Sequence, residues 1–165
     1  SDYVLATIHR QENTDDEENL RCIFSNLDMI NKKIKVVLPL HPRTKIQLQK
    51  FNICTDINYI EPIGYLSMLY LINSSEMVIT DSGGLQKEAF FAEKKCITVR
   101  TETEWTELID INVNLLSNPE DLYKNFERMK KNKCNFFRKF YGNGNASQII
   151  IDSIIRYLNK PNRVN

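Results

Sequence analysis

The chain is poor in the residues that usually announce a special chemistry or location. Its 165 residues include two histidines, four cysteines, one tryptophan, five glycines and five prolines. The cysteines (Cys22, Cys54, Cys96 and Cys134) stand far apart and form no Cys-x-x-Cys. Neither a metal centre nor a disulfide framework is therefore expected, and reduced thiols suit a cytoplasmic protein. An excess of one charge is missing too: Lys+Arg is 22 against 21 for Asp+Glu, too even a balance to favour nucleic acid or a membrane surface. A local basic cluster at Lys130, Lys131 and Lys133 reads as a solvated helix end. No apolar run approaches the ~18 residues of a membrane span. The opening Ser1-Asp2-Tyr3-Val4-Leu5 lacks the basic start of a signal peptide and reads as a chain beginning inside a strand, at a domain boundary. No repeat or low-complexity segment stands out, and the length suits one domain with a full core.

Scarce as glycine is, two of the five are adjacent, within Val78-Ile79-Thr80-Asp81-Ser82-Gly83-Gly84-Leu85-Gln86-Lys87-Glu88-Ala89. A short β-branched run ends in Asp-Ser-Gly-Gly, and a helix-forming segment follows at once. Strand, glycine turn and helix start is the order that aims unpaired backbone N–H groups at an anion. The glycines let a phosphate approach the main chain without meeting a Cβ, and Ser82 can add a hydroxyl. Glu88 lies one turn further, too deep to cap the helix but well placed to accept from ribose hydroxyls. The same residues also suit a plain helix entry with a solvated glutamate, and the local pattern alone leaves both open.

The surrounding elements alternate. Strands are expected at Tyr3 to His9, Ile34 to Leu38 (stopped by Pro39), Ile57 to Ile60, Met77 to Thr80, Cys96 to Arg100 and Val113 to Leu116. Helices are expected from Asp15 or Asp16 to Asn31, Pro42 to Phe51, Tyr65 to Ile72, Gly84 to Ala92, Glu104 to Asp110, Pro119 to about Lys133, and Ala146 to Leu158. About six short strands separated by helices predict an α/β fold, a Rossmann-like doubly wound parallel sheet. Ligands sit at the carboxyl ends of such strands. Three polar clusters fall there: His9-Arg10-Gln11-Glu12, His41-Pro42-Arg43 and Asp81-Ser82-Gly83-Gly84.

Those clusters carry a resemblance. Thr7-Ile8-His9-Arg10-Gln11-Glu12-Asn13, Leu38-Pro39-Leu40-His41-Pro42 and Thr80 to Glu88 are similar to the non-hydrolysing UDP-N-acetylglucosamine 2-epimerases. The likeness continues through Arg100-Thr101-Glu102-Thr103-Glu104-Trp105 and Tyr141-Gly142-Asn143-Gly144, so it covers nearly the whole chain in order. It implies the C-terminal, UDP-binding half (residues 1–165) of a two-domain, glycosyltransferase-B-like fold. The N-terminal domain, with the acid/base carboxylates, is then missing. The implied activity inverts C2 of a UDP-N-acetylhexosamine by eliminating UDP and adding it back through a 2-acetamidoglucal, for surface polysaccharide precursors. It needs no cofactor, and the full-length enzyme is expected to be a homodimer.

The resemblance also distributes roles. His9 matches the essential histidine that neutralises or protonates the leaving diphosphate; without the resemblance it reads as a hydrogen-bonded strand-end residue. Ser82, Gly83 and Gly84 would hold the diphosphate and Glu88 the ribose. Ile63, in Glu61-Pro62-Ile63-Gly64-Tyr65, and Met68 would meet the uracil, although Met68 also reads as ordinary core. Arg10 and His41 match positions that contact an activating second UDP-sugar in some members; otherwise they read as a surface charge and a turn residue. Glu12 reads as a structural partner of Arg10 or of a loop N–H. Trp105 stands where the best-studied members have an arginine near the phosphates. With Gln86-Lys87-Glu88-Ala89 and Met68, it is more similar to members acting on modified sugars such as UDP-2,3-diacetamido-glucuronic acid.

Two other classes stay open from the sequence: a retaining glycosyltransferase domain and a non-catalytic UDP-sugar-binding module. A serine hydrolase is disfavoured, because Asp81-Ser82-Gly83-Gly84 lacks the Gly-x-Ser-x-Gly elbow. The last helix carries Ile149, Ile150, Ile151, Ile154, Ile155 and Leu158, apolar on more than one face. Residues 144–159 are therefore expected to pack on the missing domain or in a dimer, and to stand partly exposed without them.

Overall fold

Side chains alternate in direction along a strand, so strands apolar at every position can bury both faces. The computed structural model, which describes residues 3–136 and 140–159, shows six strands among those residues. They are β1 (Tyr3–Thr7), β2 (Lys35–Pro39), β3 (Tyr59–Ile60), β4 (Met77–Thr80), β5 (Lys95–Thr98) and β6 (Asn114–Leu116), and β1 and β4 at the centre are the most fully buried. Every pairing is parallel, in the order β3-β2-β1-β4-β5-β6. The chain thus winds outward to one edge, returns to the middle, and winds out to the other. β1 and β4 are the neighbours at that reversal, where a crevice opens beyond the strand ends.

Eight α-helices are described: α1 (Gln11–Thr14), α2 (Glu17–Asn31), α3 (Pro42–Lys50), α4 (Tyr65–Ser74), α5 (Gly83–Phe91), α6 (Thr106–Asp110), α7 (Leu122–Lys131) and α8 (Ala146–Leu158). Val4, Ala6, Ile8, Ile79 and Ile97 point to one face and meet Leu20, Ile23, Phe24 and Leu27 of α2 and Phe126 of α7. Leu5, Val78 and Cys96 point to the other, against Ile72 of α4 and Ala89 of α5. A third, smaller cluster joins Phe90 of α5, Leu108 of α6 and Val113. The Asp16 side chain caps α2 by accepting from Asn19 N–H, and acids fill the first turn, as the positive end of a helix favours. Arg128, Lys130 and Lys131 occupy the last turn of α7, the solvated basic helix end expected there.

Boundaries shift in physically legible ways. The loop after β1 contains α1, a single turn whose Thr14 side chain is wholly buried. β1 itself stops at Thr7, because His9 and Arg10 turn their amides to a carboxylate rather than to a strand. Pro39 closes β2 from within, paired with Ile60, since its carbonyl side remains usable when its N–H is lacking. The segment at Pro119 begins as a 3-10 turn (Pro119–Asp121) before α7. No residue of α8 is buried, and Ile149, Ile150, Ile151, Ile154 and Ile155 are each at least half exposed, between 50% and 57%.

All four cysteines are free. Burial pushes the Cys96 thiol up to about 12, whereas Cys54 is exposed. A rise of that size lowers the thiolate population about a thousandfold. A thiol-specific reagent at pH 8 is therefore expected to modify Cys54 first and Cys96 only after denaturant is added. Reaction of Cys96 in the native protein would contradict the packing described.

Candidate active site

Asp81 organises the crevice. It is wholly buried at the end of β4, and a buried carboxylate must be surrounded by donors. Its Oδ2 accepts from His9 N–H at 2.9 Å, Arg10 N–H at 2.9 Å and Asn13 Nδ2 at 3.1 Å. Its Oδ1 lies 3.3 Å from Nδ1 of the His9 ring. This contact turns Nδ1 toward Asp81 and leaves the other ring nitrogen, Nε2, for a ligand. Asn13 also donates to Val99 O at 3.0 Å, tying the ends of β1, β4 and β5 together. The Thr7 and Thr80 hydroxyls meet at 2.7 Å beneath, and Ser82 N–H donates to Thr80 Oγ1 at 2.9 Å.

Ser82 is the N-cap of α5 but makes no capping hydrogen bond, so its hydroxyl is uncommitted. The amides of Gly83, Gly84 and Leu85 meet no acceptor among the described residues. These are the orphan donors of a helix start, at its positive end. Neither glycine adopts a positive φ, so their contribution is open space rather than backbone freedom. A Cβ on Gly84 would meet only Ser82 Oγ, at 4.0 Å. Below the turn, wholly buried Gln86 accepts from Thr103 Oγ1 at 2.6 Å and Asn114 Nδ2 at 2.9 Å. Trp105 Nε1 donates to Gly83 O at 2.8 Å. Buried polar groups thus hold the turn from beneath.

Charged groups frame this cradle. Glu104 is paired with Arg100 through two contacts, 3.0 and 3.1 Å, and lies 3.9 Å from Arg10. The Arg100 guanidinium, hydrogen-bonded to Glu104, holds that carboxyl below its ordinary range. A Cβ on Gly83 would come within 3.4 Å of Glu104 Oε2, so the carboxylate rests against the first turn of α5. Glu88, one turn down, accepts from the Tyr65 hydroxyl at 3.1 Å, and this bond raises the Tyr65 pKa.

The structure brings His9, Arg10, Ser82, Gly83 and Gly84 into one crevice. His41 is exposed, its ring 5.5 Å from that of His9, and its Nδ1 accepts from Arg43 N–H at the start of α3. Met68 packs partly into the cluster around Leu5 and Val78, on the same face of α4 as Tyr65. Ile63 lines a shallow apolar groove of about 360 Å³ with Ile60, Leu66 and Tyr70. The expected pairing of Glu12 with Arg10 does not occur; the ion-pair partner of Arg10 among the described residues is Glu104. Asp81, Asn13, Gln86 and the Arg100–Glu104 pair were missed as site residues. An acid closing an otherwise apolar strand was the available signal for Asp81. The described residues hold no group of three or more His, Cys, Asp or Glu arranged for a metal, and no helix long and apolar enough to cross a membrane.

Fold and crevice define a class of protein first: a doubly wound parallel sheet whose switch point joins an anion-accepting helix start to an aspartate-held histidine. The profile of UDP-N-acetylglucosamine 2-epimerase matches residues 1–155, and the chain belongs to that family. It is 47% identical over 115 residues to UDP-2,3-diacetamido-2,3-dideoxy-D-glucuronate 2-epimerase of Pseudomonas aeruginosa, covering 69% of this chain and 32% of that protein. It is 39% identical over 162 residues to a UDP-N-acetylglucosamine 2-epimerase of Methanococcus maripaludis, covering 92% and 44%. The UDP-GlcNAc 2-epimerase of Methanocaldococcus jannaschii, solved with UDP-GlcNAc and UDP, superposes with a TM-score of 0.84 at 37% identity, covering 94% and 45%. The chain spans less than half the length of each of these relatives.

Proposed function

We propose that this chain is the C-terminal, UDP-sugar-binding half of a two-domain UDP-N-acetylglucosamine 2-epimerase. The observation that carries this reading is the His9–Asp81 pair set beside the unpaired amides of Gly83 and Gly84. The diphosphate takes the amides and the Ser82 hydroxyl, Glu88 takes the ribose hydroxyls, and the base lies toward Tyr65 and Met68 on α4.

In the reaction a base removes the proton at C2, and the freed electron pair forms the C1–C2 double bond. The C1–O pair leaves with the β-phosphate, where charge grows. Donors already aimed at that oxygen stabilise the transition state more than the bound substrate. His9, oriented by Asp81, offers Nε2 to the same oxygen. Re-addition of UDP with a proton delivered to the opposite face of C2 completes the inversion. The carboxylates that exchange the C2 proton belong to the other domain, on which α8 packs in a homodimeric cytoplasmic enzyme.

A second reading concerns the sugar alone. The 47% identity to the Pseudomonas aeruginosa diacetamido-glucuronate epimerase supports a substrate bearing a carboxylate, with the same chemistry at C1 and C2.

Calorimetric titration of UDP tests the nucleotide site in the chain as it stands. Saturable binding is expected. Glu88→Ala should weaken UDP and uridine alike by about tenfold or more, the worth of a charge-assisted hydrogen bond. Unchanged UDP affinity in this variant would remove Glu88 from the ribose, and no binding at millimolar UDP would count against the site.

A further inference from the structure

Lys87 has no part in the site as described, yet its position points there. Gly83 and Lys87 are four residues apart on α5 and so share one face of the helix. Helical side chains lean toward the N-terminus, which carries the Lys87 ammonium from its own turn toward that of Gly83. Trp105, bonded through its indole N–H to Gly83 O, lies against that first turn. Lys87 Nζ sits 4.4 Å from the centroid of the Trp105 ring and 4.4 Å from that of Tyr141. The Tyr141 phenol is itself fixed, donating to Glu107 at 2.7 Å.

This clamp holds a cation without giving it an oxygen acceptor. Among the described residues Lys87 donates no hydrogen bond and forms no ion pair, whereas Arg10 and Arg100 both face Glu104. Ring faces attract an ammonium and restrict its motion, and the N–H groups turned away from the rings stay available to an acceptor. An ordered ammonium with unspent donors, beside a helix start with unpaired amides, is suited to an oxyanion.

We propose that Lys87 is an oxyanion ligand of the nucleotide-sugar site, completing the cradle that the Gly83 and Gly84 amides begin. The assignment rests on the UDP-binding reading above. The oxyanion is the diphosphate or a carboxylate on the sugar beyond it; the chemistry recognised is the same. Trp105 and Tyr141 then act as positioning residues, setting the reach of the ammonium.

The test is titration of uridine, UDP, UDP-N-acetylglucosamine and UDP-glucuronic acid into the unsubstituted chain and into Lys87→Met, Lys87→Arg and Glu88→Ala. Methionine keeps an unbranched apolar stem in the clamp. Lys87→Met should weaken UDP-glucuronic acid, and UDP too if the diphosphate is the oxyanion, about 10- to 100-fold, leave uridine unchanged, and be largely rescued by Lys87→Arg. Equal losses across the three UDP ligands identify the diphosphate as the oxyanion; a loss confined to UDP-glucuronic acid identifies the sugar carboxylate. Full affinity of Lys87→Met for all three overturns the assignment, and so does an equal loss for uridine, which marks the clamp as structural. Binding that Glu88→Ala weakens and Lys87→Met does not leaves the nucleotide reading intact. No UDP binding by the unsubstituted chain overturns both.

Discussion

Replacing His9 by alanine in the protein carrying both domains is expected to lower epimerase turnover by about 10²- to 10⁴-fold, the usual contribution of a positioned acid or base. UDP affinity should change far less. The asymmetry follows from what each group does. On the proposed reading Glu88 meets the ribose in ground and transition states alike, and such binding acts mainly on KM. On that reading His9, with the turn amides, meets charge that grows only as the C1–O bond breaks. Its ring is fixed through Nδ1 by Asp81 at 3.3 Å while the residue remains partly exposed, so the free nitrogen is both oriented and reachable. The measurement is kcat and KM for the UDP-sugar, with release of UDP and the glucal intermediate followed separately. A large fall in kcat with KM nearly unchanged is the expected result. A variant that keeps its turnover would remove His9 from the chemistry and leave it as a strand-end hydrogen-bonding residue.

Repeating local patterns made the fold legible in the sequence. Runs such as Met77–Thr80 are buried at every position and mostly apolar, as suits a strand covered on both faces, and Leu20, Ile23, Phe24 and Leu27 recur at the helical period. The crevice was legible where its residues sit at strand ends, as His9 and Ser82 to Gly84 do. What escaped depends on contacts between distant segments. Asp81 draws its donors from His9, Arg10 and Asn13, a dependence that no local spacing encodes. The same is true of Gln86, whose partners Thr103 and Asn114 come from beyond β5 and from β6. The turn α1 was missed because Asn13 and Thr14 look like loop residues until their buried partners are known. For Glu12 the nearest charge in sequence misled, since Glu104 reaches Arg10 from another loop.

Asp81→Ala is expected to be the most destabilising single change at the site, at about 3–5 kcal/mol. Removing this carboxylate strands the His9 and Arg10 amides and the Asn13 amide group around an apolar methyl, in a place water cannot easily enter. Each unsatisfied buried donor costs about 1–3 kcal/mol, and partial collapse recovers some of the sum. In a domain of this size the loss corresponds to a fall in Tm of roughly 6–20 °C. Asp81→Asn keeps the volume and one acceptor oxygen, but turns an NH₂ toward donors on the other side, so its loss should be smaller yet still measurable. The pair of variants separates two functions of one residue. If Asp81 only supports the loop, Asp81→Asn in the two-domain enzyme should keep kcat in proportion to the folded fraction. If it also sets the His9 ring, kcat should drop well beyond that fraction, because an amide NH₂ facing Nδ1 favours the opposite tautomer. Thermal melts and kcat measured on the same preparations decide it. Retention of both Tm and turnover in Asp81→Asn would show that the His9–Asp81 contact contributes to neither.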